Sequence, residues 1–233
     1  QMENSTSPHL AQPYRLPRHI VPTRYDLQLT PHLAQATFDG TVAIAANVLA
    51  QAPEIVLNAK ALTLHNVPVN GVDAPFYLHS ETERLVITPA TAVEPGAATI
   101  SISFSGVLND SLRGFYRSTY TDENGAEQVI AATQMQSTDC RQAFPCWDEP
   151  DFKAVFSITL VVEDHHLAIS NGAEVSRQSV AAGRTAVRFA DTMSMSTYIV
   201  AFIVGPLEAT EPIDVDGTPL RIIHVPGKSH LTD

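Results

Sequence analysis

The sequence predicts an all-β fold of twelve or more strands, built as a sandwich or a partly open barrel. Three observations predict it. Apolar residues recur at every second position through many short segments. Turn dipeptides separate those segments. The 16 prolines fall at segment ends, as suits edges and turns rather than helix interiors.

Taken in order, residues 1–13 read as a disordered or loosely docked arm, and residues 14–233 as one β-domain. Tyr25, Leu27 and Leu29 alternate with Asp26, Gln28 and Thr30, the pattern of a half-buried strand. Phe38, Val42 and Ile44 form the next strand, after a turn at Asp39-Gly40. Ile55 to Leu57 and Leu62 to Val67 follow. Asn70-Gly71 predicts a type I′ hairpin, because both residues tolerate positive φ. Further strands are expected at Leu85 to Ile87 and Thr99 to Phe104. Tyr116 to Tyr120 and Gln128 to Ala132 flank a second hairpin signal, Asp122-Glu123-Asn124-Gly125. Phe156 to Val162, Thr185 to Phe189, Thr197 to Val204 and Leu220 to His224 complete the set, with Asp216-Gly217 marking the last hairpin. One short helix is expected over Thr138 to Ala143, capped by Ser137 or Thr138.

Composition excludes several functions. Hydrophobic residues are 44 % and charged residues 17 %, so the chain can bury a sizeable core. Net charge is -11, from 25 acidic and 14 basic residues. Phosphate backbones and anionic lipid both call for a basic surface, so neither nucleic acid nor membrane is an expected partner. No apolar stretch approaches the roughly 20 residues that span a bilayer. Two cysteines, Cys140 and Cys146, are too few for a disulfide scaffold of this length. They suit a reducing compartment, and a cytoplasmic location is expected. The Asn4 and Asn109 sequons argue weakly the other way.

Self-contained catalysis finds little support. The 233 residues contain no H-E-x-x-H, G-x-S-x-G, P-loop or G-x-G-x-x-G. His165 and His166 are adjacent; in a strand they would face opposite ways, and in a loop they would rarely share a metal, so a solvated turn after Val162 is expected. Cys140 and Cys146 read as buried structural thiols. Asp148 and Glu149, beside Pro150, read as a turn or as an ion pair with Arg141. No catalytic residue and no metal ligand is assigned.

One stretch differs from the rest. Thr133 to Ala154 is dense in polar, aromatic and proline residues and holds the only tryptophan, Trp147. In an extended run Gln134 and Gln136 project to one face. Paired amides there accept from an ammonium and donate to a carbonyl, or they are ordinary exposed or strand-paired glutamines.

At this stretch, TQMQSTDCRQAFPCWDEPDFKAVF, the sequence resembles the aminopeptidase N family of zinc metallopeptidases (gluzincins), most closely its puromycin-sensitive branch. Supporting blocks are Arg15-Leu16-Pro17 through Tyr25-Asp26-Leu27, Leu112 to Ser118, and Met195 to Gly205. The resemblance implies a saddle-shaped, sandwich-like domain with mixed sheets and little helix, packed on a thermolysin-like catalytic domain absent from this chain. It implies that no cofactor is bound here and that zinc belongs to that catalytic domain of the parent protein. It implies that Gln136 holds the substrate's free amino terminus and that Gln134 lines the first side-chain pocket, with Met135 turned into packing. Many relatives carry glutamate at the position of Gln136. The activity implied for the parent is removal of N-terminal residues from peptides, the chain alone being inactive. The alternative is an inactive homologue using the domain as an interaction scaffold.

Overall fold

The computed structural model describes Gln12 and residues 14–232. The arm expected over 1–13 therefore lies outside the described residues, Gln12 excepted. The described residues form an all-β structure. Its strands are β1 (Ile20–His32), β2 (Thr37–Val48), β3 (Ile55–Asn58), β4 (Leu62–Asn66), β5 (Pro68–Val69), β6 (Val72–Asp73) and β7 (Phe76–His79). These are followed by β8 (Arg84–Ile87), β9 (Gly96–Val107), β10 (Gly114–Thr121), β11 (Glu127–Gln134), β12 (Val155–Glu163), β13 (Leu167–Ser170) and β14 (Glu174–Ala181). The remainder are β15 (Arg184–Phe189), β16 (Phe202–Gly205), β17 (Glu208–Ala209), β18 (Ile213–Val215), β19 (Thr218–Leu220) and β20 (Ile223–His224). Helix is confined to short 3₁₀ turns.

A nine-stranded sheet runs β14-β15-β12-β1-β2-β9-β5-β6, with β4 also on β9. It is mixed: β1 lies antiparallel to β2 and parallel to β12, so Leu27 pairs with both Val42 and Ile158. The alternation of β1 is realised, with Tyr25, Leu27 and Leu29 buried and Asp26 and Gln28 exposed. A four-stranded sheet, β10-β11-β16-β13, packs against it. Phe38 of β2 meets Phe115 of β10 at 5.1 Å between ring centroids, and Phe115 meets Phe202 of β16 edge-on at 4.9 Å. Aromatic pairs of this kind add about 0.5–1.5 kcal/mol each beyond the area they bury. A three-stranded sheet, β3-β8-β7, contributes Ile55, Leu57, Leu85 and Ile87, all fully buried.

Turn chemistry sets the hairpins. Asn70 and Gly71 have φ of 50° and 80°, and Asp216 and Gly217 of 52° and 82°, the positive pair a type I′ turn requires. The Asp122 turn is closed by Gly125 N donating to Asp122 O and by Asp122 N donating to Ala126 O. Asp39-Gly40, by contrast, is not a turn. Both residues lie inside β2, and the reversal occurs earlier, at the 3₁₀ turn Leu33–Gln35 with Ala36 at φ 53°. Gly40 serves packing: a Cβ there would lie 2.4 Å from Phe104 Cζ and 2.8 Å from Leu29 Cδ2.

Other expectations are corrected. Thr197 to Val204 is not one strand; Thr197–Ile199 is a 3₁₀ turn and only Phe202 onward pairs. The Thr197 hydroxyl is drawn to a buried carboxylate instead of lying along a ladder. Leu220 to His224 is divided between β19 and β20. Strand β14 escapes sequence reading because all eight of its residues are exposed, so no alternation marks it.

Candidate functional site

Strand β11 ends at Gln134, where the chain enters the loop that leads to β12. Met135 is the anchor. It is 2 % exposed, packed into the core as expected, while Gln134 and Gln136 on either side are exposed. The loop then closes on itself. Asp139 N donates to Met135 O at 2.9 Å, Gln142 N to Asp139 O at 3.0 Å, and Ala143 N to Cys140 O at 2.8 Å. The helix expected over Thr138 to Ala143 is reduced to a 3₁₀ turn, Cys140–Gln142, with Asp139 at its N-terminal boundary and no side-chain cap. Two causes are visible. The Asp139 carboxylate accepts from Gln142 Nε2 at 2.6 Å. Pro145 restricts Phe144 and stops the helix from propagating.

A buried ionic network holds the loop in place. Asp148 is fully buried, and its carboxylate accepts from Arg141 Nε at 2.9 Å and from Thr197 Oγ1 at 2.6 Å. Its backbone N–H donates to Asn58 Oδ1 at 3.2 Å. Arg141 Nη1 reaches Glu83 at 3.0 Å, and Glu83 also binds Lys60 at 2.5 Å. Burial opposes the Arg141 cation, but the hydrogen bond and charge of Asp148 outweigh it and raise its pKa above the ordinary arginine value. For Glu83, burial works against the carboxylate, yet Lys60 and Arg141 prevail and lower its pKa. The expected Arg141–Asp148 ion pair is therefore present. Glu149 binds Arg18 and the Leu16 N–H, tying the loop to the segment before β1.

The loop is also sewn to two strands. Asn58 and Cys146 exchange backbone hydrogen bonds of 2.8 and 3.0 Å, and Trp147 N donates to Tyr25 Oη at 3.0 Å. Gly114 opens β10 at φ +65°, where a Cβ would lie 2.7 Å from Gln142 Cβ and 3.0 Å from Asp139 O. Only glycine lets that strand meet the loop so closely. Cys140 and Cys146 are buried and unbridged, and burial pushes both thiols up.

The two glutamines share one concavity of about 320 Å³, lined also by Lys60, Glu83, Arg113 and Asp139 among others. Gln134 Oε1 accepts from Gln136 N at 3.2 Å. The lining carries two cations and two carboxylates besides the two neutral amides. Lys60, Glu83 and Asn58 are the participants sequence reasoning missed. Asn58 carries a legible signal: it is a polar residue ending the run Ile55-Val56-Leu57, and it is 4 % exposed.

Among the described residues, groups close enough to share a cation are Cys140–Cys146–Asp148 and Glu163–His165–His166. The first is a poor metal site, since its thiols are held protonated and its carboxylate is committed to Arg141 and Thr197. Neither group has the two-histidine helix of a catalytic gluzincin zinc site. The turn expected after Val162 is present, at Asp164 and His165, and the His165 and His166 ring centroids lie 4.3 Å apart.

An all-β domain whose central loop displays two amides, above an Arg–Asp core network and beside a Cys-Trp-Asp-Glu-Pro run, defines a class that sequence comparison identifies directly. Residues 21–199 match the peptidase M1 N-terminal domain, and the chain belongs to this family. It is 40 % identical over 221 residues to the puromycin-sensitive aminopeptidase of Caenorhabditis elegans, covering 92 % of this chain and 23 % of that protein. It is 39 % identical over 224 residues to aminopeptidase M1 of Arabidopsis thaliana, covering 92 % and 25 %. With the alanine/arginine aminopeptidase of Saccharomyces cerevisiae it shares 37 % over 218 residues, 91 % of this chain and 25 % of the relative. The chain thus spans about a quarter of the length of these curated relatives.

Proposed function

We propose that this chain is the non-catalytic N-terminal β-domain of a zinc aminopeptidase, residues 14–233 forming one unit, and that its glutamine loop holds the amino end of a peptide substrate. The observation that supports this reading is the placement of Gln134 and Gln136, both exposed beside the buried Met135 and both lining one polar concavity. A substrate ammonium donates to Gln136 Oε1, and Gln134 lines the space for the first side chain and donates to the peptide backbone. A pocket built to pair an ammonium discriminates against blocked or internal positions, which leave it unpaired. The chemistry expected of a zinc ion held in the catalytic part of the parent protein is polarisation of the scissile carbonyl and activation of water. The domain packs on that catalytic part, and its rigid loop sets the distance from amine to scissile bond. The unbridged buried thiols favour a reducing, cytoplasmic setting.

The test compares the parent protein with this chain on aminoacyl fluorogenic substrates. The parent is expected to release the fluorophore, to lose activity to a zinc chelator, and to spare N-acetylated substrates. The chain alone is expected to be inactive with or without zinc. Turnover by the chain alone, or a parent indifferent to N-acetylation, contradicts the reading.

A further inference from the structure

The turn between β12 and β13 carries a cluster the proposed function does not use. Glu163 ends β12, Asp164 and His165 form the turn, and His166 precedes β13. This turn is a corner of the fold, because β12 belongs to the nine-stranded sheet and β13 to the four-stranded one. Register also separates it from the glutamine loop. Leu167 pairs with Gly205, and Val204 with Ala131, so the turn sits at the far end of the four-stranded sheet from Gln134.

His165 Nε2 lies 3.4 Å and His166 Nε2 3.5 Å from the same oxygen, Glu163 Oε2. One ligand atom from each of the three residues falls within 4.8 Å of the others. With ligand bonds of about 2.1 Å, separations of 3.4 and 3.5 Å subtend angles of about 108° and 113° at a shared centre. Both are close to tetrahedral. The turn is rigid before any ion arrives. His166 N donates to Glu163 O at 2.9 Å, which sets the first and fourth residues of the turn together. Asp164 is pinned at both ends, its N–H donating to Gly183 O at 3.1 Å and its carboxylate accepting from Thr185 Oγ1 at 2.6 Å.

From this geometry we infer that Glu163, His165 and His166 form a three-ligand site for a borderline divalent transition ion, zinc first, with a fourth position open to solvent. The donor set of two imidazoles and a carboxylate suits Zn²⁺, Ni²⁺ or Cu²⁺ rather than Mg²⁺ or Ca²⁺. The ligand side chains are graded in exposure, His166 at 8 %, Glu163 at 34 % and His165 at 72 %, so the ion enters from the His165 side. The bound ion braces the corner where one sheet passes into the other, and so stabilises the folded state by mass action.

The experiment titrates the 233-residue chain with ZnCl₂ by calorimetry, follows Tm, and records the absorption of the Co²⁺ form. Expected are one equivalent of zinc bound, a rise in Tm, and a cobalt spectrum without thiolate charge transfer. Removing even an outer partner of a metal ligand costs about 10- to 100-fold in affinity. Thus His165→Ala and Glu163→Gln should each weaken binding at least tenfold and abolish the Tm rise. His165 is exposed, so its variant keeps the fold, and unchanged Tm without zinc confirms that. Absence of zinc binding, binding unaltered in His165→Ala, or a thiolate band that moves the ion to Cys140 and Cys146 would each overturn the assignment.

Discussion

Arg141→Met tests whether the buried ion pair holds the glutamine loop. The Arg141 side chain is 12 % exposed and the Asp148 side chain 0 %. The substitution keeps most of the stem's apolar contacts but leaves the Asp148 carboxylate without its cation, which costs about 3–5 kcal/mol for a buried pair. The Arg141–Glu83 contact adds little, because Glu83 is partly exposed and keeps Lys60. With a urea m-value of about 3 kcal/mol/M, the unfolding midpoint should fall by about 1–1.7 M. Asp148→Asn combined with Arg141→Met removes the orphaned charge. The double variant should therefore be less destabilised than the sum of the singles by at least about 1.5 kcal/mol, within the range known for coupled pairs. Urea melts of the four proteins close the cycle. A loss below about 1 kcal/mol for Arg141→Met, or additive singles, would refute the reasoning.

Three further outcomes are expected. Gly114→Ala should cost about 2–4 kcal/mol by thermal denaturation, combining left-handed strain with overlap on Gln142, and a neutral result would contradict the close approach. Cys140 and Cys146 should resist a thiol reagent at pH 8 in the native chain and react at once in denaturant, since burial raises both thiols; fast native labelling would place them at the surface. Glu83 has a folded pKa lowered below its unfolded value, so its contribution is present above the ordinary carboxylate range and is lost as pH falls through it. Stability measured from pH 6 down to pH 3 should accordingly fall less in Glu83→Gln than in the unaltered chain.

Much of the fold is legible because backbone chemistry writes it locally. Asn70-Gly71 and Asp216-Gly217 announce their hairpins through positive φ, and the alternation from Tyr25 to Leu29 marks a strand with one buried face. What is not legible depends on partners distant in sequence. Gly40 carries the mark of a turn but is required by the Phe104 ring lying over β2. Strand β14 is exposed throughout and takes its conformation from pairing with β15. The 3₁₀ turn at Thr197 is held by Asp148, 49 residues earlier. The candidate site divides in the same way. Gln134, Gln136 and the Arg141–Asp148 pair can be picked out within one run of sequence, whereas Lys60, Glu83 and Asn58 enter only when β3 and β8 are brought beside the loop.

The parent protein's kcat/KM on free-amino peptides tests most directly the proposal that Gln136 accepts the substrate amine. A hydrogen bond to a charged group is worth about 1.5–3 kcal/mol, so Gln136→Ala should lower kcat/KM by about 10- to 160-fold. Gln136→Glu, which restores a charge opposite the ammonium, should match or exceed the unaltered enzyme. Unchanged kcat/KM in Gln136→Ala would show that the loop does not meet the amine.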